Sequence, residues 1–439
     1  MTDTANTREL VLGILLAVER EETYSHLVIR SVLEKYQYLE KQERAFITRL
    51  AEGTIQRRIE LDYIINRFSK VQTAKMKPVI RNLLRMSVFQ MKYMDSVPDS
   101  AACNEAVALA KKKGFGSLAG FVNGVLRNIA RNLSDISYPD EKKSPVEALS
   151  VRYSMPEWIV RQWQEAYGTD RTKEMLHAFL QEAPLTVRTN LAKTTPKELK
   201  ERFQKEGVTA EPLDETKYPG LSYAFALSSY DYLGALPSFR EGLFYVQDIS
   251  SMMVAELAAP KKGDSIIDVC AAPGGKSLHL AEKMRGTGCI EARDLTPDKT
   301  ALIEENIQRC GAGNVVVRQW DATVRKDDSV ETADIVIADL PCSGLGVLRK
   351  KSDIKYRMSE EQQAELAALQ RKILDTVYCY VKHGGALIYS TCTINPQENE
   401  ENVRWFLERH RDFLLEDMKQ IFPGEHLGDG FFLARLNRR

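Results

Sequence analysis

The sequence predicts an α/β protein, a mostly parallel sheet in the carboxyl-terminal part preceded by an all-helical region and a small α+β segment. Three observations carry that reading. From residue 7 to about 130, apolar positions recur at three- and four-residue spacings. From 146 to about 245, short β-rich runs alternate with helical stretches. From about 250 onward, apolar strand-like runs are separated by longer helical segments, the pattern of parallel strands joined by crossover helices. The expected domains are residues 1–140, 141–248 and 249–439.

The helical region contains 10–18, 44–68 and 79–94, with Pro78 and Pro98 placed where helices begin. Arg57, Arg58, Arg81, Arg85, Lys111, Lys112, Lys113 and Arg127 punctuate these segments, either as a solvated face or as an RNA-facing one. The polar, turn-rich stretch 131–145 reads as a linker. In the middle region a helix at 156–168 precedes a strand at 185–190, a helix at 196–207 and strands at 223–227 and 243–248. That β-α-β-β order suits a small α+β domain. The later strands are 265–269, 289–294, 314–321, 334–340 and 385–391, followed by a helix at 400–409 and a last, antiparallel strand near 429–436.

Composition excludes several classes. Hydrophobic residues make up 44% of the chain, and no run of about 18 apolar residues suggests a membrane span. The first residues lack a signal-peptide pattern. Seven cysteines, an odd number with no CxxC pair, argue against a disulfide framework and a zinc site, so a reducing cytoplasm and no metal are expected. Charge balances at 61 basic and 61 acidic residues, although residues 1–130 carry 20 basic against 14 acidic, which permits RNA binding. A monomer is expected.

In an open α/β sheet, ligands bind beyond the carboxyl ends of the strands. The first strand runs into Asp268 and then Cys270, Ala271, Ala272, Pro273, Gly274, Gly275 and Lys276, a loop of small residues that lets backbone approach a ligand closely. The next three strands end in Asp294, Asp321 and Asp339. The loop matches neither G-x-G-x-x-G nor a phosphate-binding loop, which disfavours a nicotinamide-dependent oxidoreductase. A row of carboxylates repels a pyrophosphate and suits a cationic nucleoside with ribose hydroxyls, which points to S-adenosylmethionine, leaving S-adenosylhomocysteine as product.

Two cysteines share that edge, Cys342 in 339-DLPCSG-344 and Cys392 in 388-IYSTCTINPQENEEN-402. Free cysteines are most often small buried hydrophobes, the reading for Cys103, Cys289, Cys310 and Cys379. A thiolate at a methyltransferase site has another use. Adding to carbon 6 of a pyrimidine, it makes carbon 5 nucleophilic toward a sulfonium methyl group. Asp339 is placed to stabilise the adduct at ring nitrogen 3, and Lys276 to lower a thiol pKa. Chemistry and spacing leave open which thiol attacks.

DVCAAPGGKS, ADLPCSGLG with 349-RKKSDIKYR-357, and YSTCTINPQENEENV resemble the signature segments of the RNA cytosine-C5 methyltransferases, the Nop2/Sun family. With a helical region similar to the NusB fold, the whole chain resembles the type acting on 16S rRNA. The resemblance implies a Rossmann-like S-adenosylmethionine-dependent methyltransferase domain preceded by an all-α NusB-like RNA-binding domain and an RRM-like α+β domain. It implies Cys392 as nucleophile and Cys342 as the residue assisting release, and cofactor contacts from Cys270 through Lys276, Asp294, Asp321 and Asp339. DNA cytosine-C5 methyltransferases use the Pro-Cys thiol instead, so the swapped assignment is a rival. Arg293, before the second acid, departs from the small or apolar residue usual there. The rival functions are the same chemistry on tRNA and a non-catalytic RNA-binding assembly factor.

Overall fold

The computed structural model describes residues 6–20 and 23–439, which form two compact units. The first contains the described residues through Leu180 together with Leu348–Arg357; the second contains Gln181–Val347 and Met358–Arg439.

The first unit is helical: α1 (Thr7–Arg20), α2 (Ser25–Lys35), α3 (Lys41–Gln56), α4 (Arg58–Phe68), α5 (Pro78–Tyr93), α6 (Asp99–Lys112), α7 (Ala119–Asn132), α8 (Pro145–Tyr153) and α9 (Glu157–Ala178). The periodic run 44–68 is two helices, broken at Arg57, whose ψ of 15° departs from the helical value. Helix α3 starts on a reciprocal capping box between Glu40 and Glu43, and α5 starts with Pro78 in its first turn, where a missing N–H costs nothing. Leu12, Ile47, Leu50, Ile64, Leu83, Leu84 and Val122 meet in one core. The stretch 131–145 is not where the units divide, because α8 and α9 pack with the helices before it and Ser154 Oγ accepts from Ile59 N at 2.8 Å.

Much of the basic punctuation is internally paired. Arg85 grips Asp62 through two nitrogens and reaches Glu19 at 2.6 Å, Arg81 pairs with Glu19, Arg57 with Glu60, and Lys112 and Lys113 both with Glu9.

The segment 348–357 completes this unit although it comes from far along the chain. Asp353 accepts from the backbone and hydroxyl of Ser25 at 2.9 and 2.7 Å. Tyr356 packs against the helical core under the Arg58 guanidinium, 3.7 Å from its ring centroid. Lys355 is buried and donates to Gln56 O at 2.9 Å; burial, with Arg57 and Arg58 nearby, pulls its pKa down to about 7. An unfolded lysine keeps its proton to about pH 10.4, so between roughly pH 7 and 10 the unfolded chain binds the extra proton. Stability therefore rises with pH across that window, by up to about 1.4 kcal/mol per pH unit from this group. Urea unfolding followed from pH 7 to 10 should show the rise in the parent and a flatter one in Lys355→Met; parallel curves would refute it.

The second unit opens with β1 (Leu185–Thr189), α10 (Pro196–Lys205), β2 (Thr209–Pro212), β3 (Ala224–Ser228), the single turn α11 (Pro237–Arg240) and β4 (Phe244–Val246), whose strands form an antiparallel sheet ordered β2-β3-β1-β4. Strand β2, sequence TAEP, was not expected, since an exposed edge strand with one buried residue has no apolar alternation to read. Val187, Phe225 and Phe244 pack under Leu199 and Phe203 of α10. On the opposite face Ala224 and Ala226 meet Ile249 and Met252, and Tyr245 meets Leu278. An RRM stacks RNA bases on that second face. Here it is buried, so the domain keeps RRM-like strand order without the base-stacking platform.

The larger sheet follows with α12 (Ile249–Ala258), β5 (Ser265–Asp268), α13 (Gly275–Lys283), β6 (Cys289–Asp294), α14 (Pro297–Cys310), β7 (Val315–Gln319), β8 (Ala333–Asp339), α15 (Glu360–Val377), β9 (Val381–Thr391), α16 (Glu400–Arg409), β10 (Phe413–Ile421) and β11 (Phe431–Arg438). Its order is β10-β11-β9-β8-β5-β6-β7, parallel from β9 to β7, with β11 antiparallel to β9 and β10. Strand β10 was not expected, because its apolar residues Leu414, Leu415 and Met418 are exposed and follow no alternation that marks a buried face. Residues of α12, α13 and α14 share a core with one face of this sheet, and residues of α15 and α16 with the other. Strand order reverses between β5 and β8, the switch point where α/β sheets bind ligands.

Candidate active site

The loop after β5 is pinned to its neighbours. Val269 N donates to Ile337 O at 3.0 Å, Ala271 N to Arg293 O at 2.8 Å, and Ala272 N to Asp294 Oδ2 at 2.9 Å. Gly274 has φ +103°, and a Cβ there would meet Ile303 Cγ2 at 3.3 Å; a Cβ on Gly275 would meet the Tyr245 ring at 3.0 Å. The glycines are thus set by backbone angle and close approach. The small sheet buttresses this loop. Tyr245 donates to Pro273 O at 3.3 Å, and fully buried Arg188 reaches Gln247 at 2.7 Å, Glu282 at 2.5 Å and Gly275 O at 3.4 Å.

The four carboxylates differ in surroundings. Asp268 is fully buried; Ser277 donates to Oδ2 at 2.6 Å, Oδ1 has no partner, and burial lifts its pKa to about 7. Asp294, also buried, accepts from Ala272 N, from Leu295 N at 2.8 Å and from Lys299 at 3.0 Å. Asp321 follows edge strand β7 in the open, where the backbone N–H and hydroxyl of Thr323 hold it below the usual carboxylate range. Asp339 accepts from Ser390 Oγ at 2.7 Å and from Lys276 Nζ at 2.6 Å. Burial acts to lower the Lys276 pKa, but Asp339 and Asp268 overcome it and the ammonium is held charged. Burial, with Asp294 and Asp268 nearby, pushes the Cys270 thiol up. Arg293 turns away from the loop: only its carbonyl touches it, while the buried guanidinium binds Glu291 at 2.7 Å and Ser329 at 2.6 Å.

Strands β8 and β9 are parallel neighbours, so the residues just past their ends come together. Cys342 Sγ and Cys392 Sγ lie 3.3 Å apart. The hydrogen bond with Cys392, and then burial, hold the Cys342 thiol far above its ordinary pKa. Gly346 lets the two loops close up: its N–H donates to Cys392 O at 3.0 Å, and a Cβ there would collide with Gly430 O at 1.9 Å. Cys103 and Cys310 are buried as expected of packing residues and Cys379 is half-buried, but Cys289, first in β6, is exposed. Sequence reasoning missed Glu398, whose place in the acidic run suggests a solvated helix start although its side chain is fully buried.

A cavity of about 1020 Å³ in the helical unit, lined among others by Glu19, Arg58, Arg81, Arg85, Asp353 and Tyr356, contains none of these residues. Among the described residues no cluster of His, Cys, Asp and Glu is arranged for a metal ion, and no helix is long and apolar enough to cross a membrane.

A Bacillus subtilis protein named probable ribosomal RNA small subunit methyltransferase B is 36% identical over 456 aligned residues, covering 99% of both chains. The chain belongs to the RsmB/F family of 16S rRNA methyltransferases. The description "16S rRNA methyltransferase RsmB/F" matches residues 255–437, "NusB family" residues 5–131, and "Methyltr_RsmF/B-like, ferredoxin-like domain" residues 155–218. A Synechocystis relative, also named probable ribosomal RNA small subunit methyltransferase B, is 33% identical with 99% of each chain covered. The crystal structure of PH0851 superposes with a TM-score of 0.82 at 25% identity, over 98% of each chain. This member of the RsmB/F family is thus an S-adenosylmethionine-dependent rRNA methyltransferase with NusB, ferredoxin-like and Rossmann-like parts.

Proposed function

We propose that the protein methylates carbon 5 of one cytosine in 16S rRNA, with Cys392 as nucleophile and Cys342 assisting release. The observation that carries this is the thiol pair, two sulfurs 3.3 Å apart beyond adjacent parallel strands, one of which ends in Asp339, itself paired with Lys276 of α13. The Cys392 thiolate adds to carbon 6 of the base, and the Cys342 S–H steadies the attacking sulfur by hydrogen bonding. Asp339, held by Ser390 and Lys276, faces ring nitrogen 3 and stabilises the adduct. S-adenosylmethionine, which the loop from Cys270 to Lys276 would hold, would give its sulfonium methyl group to carbon 5 and leave as S-adenosylhomocysteine. Loss of the carbon-5 proton to water then restores the 5,6 double bond and returns the carbon–sulfur electron pair to Cys392.

The donor set suits that cofactor. The loop from Cys270 to Lys276 offers close backbone, and Asp294 keeps acceptor capacity after its three bonds for a ribose hydroxyl. The orphaned Asp268 Oδ1 adds acceptor character beneath the loop. Asp339 and exposed Asp321 complete the proposed contacts. The helical unit is proposed to hold rRNA through phosphate contacts, the protein acting as a cytoplasmic monomer with its seven cysteines free. Bisulfite sequencing of rRNA and tRNA from a strain lacking the protein tests the assignment. The expected result is loss of one 16S 5-methylcytosine; loss in tRNA, or no loss, would overturn it.

A further inference from the structure

Glu398 carries a fully buried carboxylate whose four hydrogen bonds come from neutral donors. Ser343 N donates to Oε2 at 2.9 Å and Ser343 Oγ to Oε1 at 2.5 Å. Asn395 Nδ2 donates to Oε1 at 3.0 Å, and Gln370 Nε2 to Oε2 at 2.9 Å. A carboxylate has about four lone-pair sites, so these donors use them all. Burying a charge among neutral partners costs stability that a neutral side chain would not, which calls for a return elsewhere.

The donors show where the return lies. Ser343 follows Cys342, Asn395 lies three residues after Cys392, and Gln370 comes from α15. Gln370 Nε2 also donates to Pro341 O at 2.8 Å, so Cys342 is bracketed by anchors on both sides. Ser343 and Thr393 hydroxyls bond at 2.7 Å, tying the loops again. The two cysteines depend on this clamp unequally. Cys392 directly follows Thr391, which is paired with Phe432 in the sheet, so strand register holds it. Cys342 sits in a loop past the end of β8 and has no such pairing.

We propose that Glu398 is a positioning residue, its carboxylate fixing the Cys342 thiol against Cys392 and so setting the rate at which the covalent RNA adduct is released. In that step the carbon-5 proton passes to water, its bonding pair forms the 5,6 double bond, and the carbon–sulfur pair returns to Cys392 under a hydrogen bond from Cys342. A displaced Cys342 slows this departure and leaves the earlier addition intact. The idea rests on the division of labour proposed above.

The test compares Glu398→Gln, Ser343→Ala and Cys342→Ala in the full-length protein, with labelled 16S rRNA and tritiated S-adenosylmethionine. Glu398→Gln keeps shape but sets an NH₂ group against a donor. First-turnover methyl transfer should stay within about threefold of the parent while the covalent complex, seen on denaturing gels, lasts at least about tenfold longer. Ser343→Ala should shift release the same way by less, and it decides the matter if Glu398→Gln does not fold. Release at the parent rate, or equal loss of transfer and release, would overturn the role of Glu398. If Cys342→Ala itself fails to accumulate the complex, the assignment of the two thiols is what fails.

Discussion

Cys392→Ala should show no methylation and no covalent RNA complex, whereas Cys342→Ala should form the complex and release it on the order of a hundredfold more slowly. The asymmetry follows from the roles proposed for the two thiols. Both sulfurs are within 3.3 Å, so either could reach the same base, and proximity alone does not rank them. The hydrogen bond with Cys392 and burial hold the Cys342 thiol above its ordinary pKa, which suits the hydrogen-bond donor proposed for release. On the proposed roles, removing Cys392 removes the bond-forming atom, while removing Cys342 removes only the group that steadies its departure. Denaturing gels of labelled rRNA incubated with each variant decide between them. A complex that survives in Cys392→Ala would reverse the roles.

Asp339→Asn should lower the rate of methyl transfer by about 10²- to 10⁴-fold, the range associated with a positioned acid–base group. Two losses combine. The asparagine lacks the carboxyl group proposed to stabilise the adduct at ring nitrogen 3, and mostly buried Lys276 is left without the counter-ion that holds its charge. Single-turnover transfer of a tritiated methyl group measures the first; thermal melting reports the second as a lower Tm. A transfer rate within threefold of the parent would remove Asp339 from the chemistry.

The parallel sheet was legible because its inner strands are near-continuous apolar runs, as in 334–340 and 385–391. Strands β2 and β10 were not, because each lies at a sheet edge and exposes most of its residues to water. The thiols could be placed at strand ends from the sequence, since an apolar run that stops before Pro or Thr-Cys marks where the chain leaves the sheet. Their 3.3 Å separation needed β8 and β9 to be neighbours, which spacing along the chain does not state. Glu398 stayed hidden for another reason. Acids ahead of a helix ordinarily complement its dipole in solvent, and only tertiary packing under Gln370 turns this one inward.

The return of 348–357 to the helical unit has a consequence for synthesis of the chain. At about 5–20 residues per second, a ribosome takes on the order of ten seconds or more to pass from residue 180 to residue 357. Until then the nascent helices lack Asp353 as partner for Ser25 and the Tyr356 ring against Arg58. The amino-terminal unit therefore matures late, and a fragment ending near residue 180 should leave the ribosome with an open, protease-sensitive face.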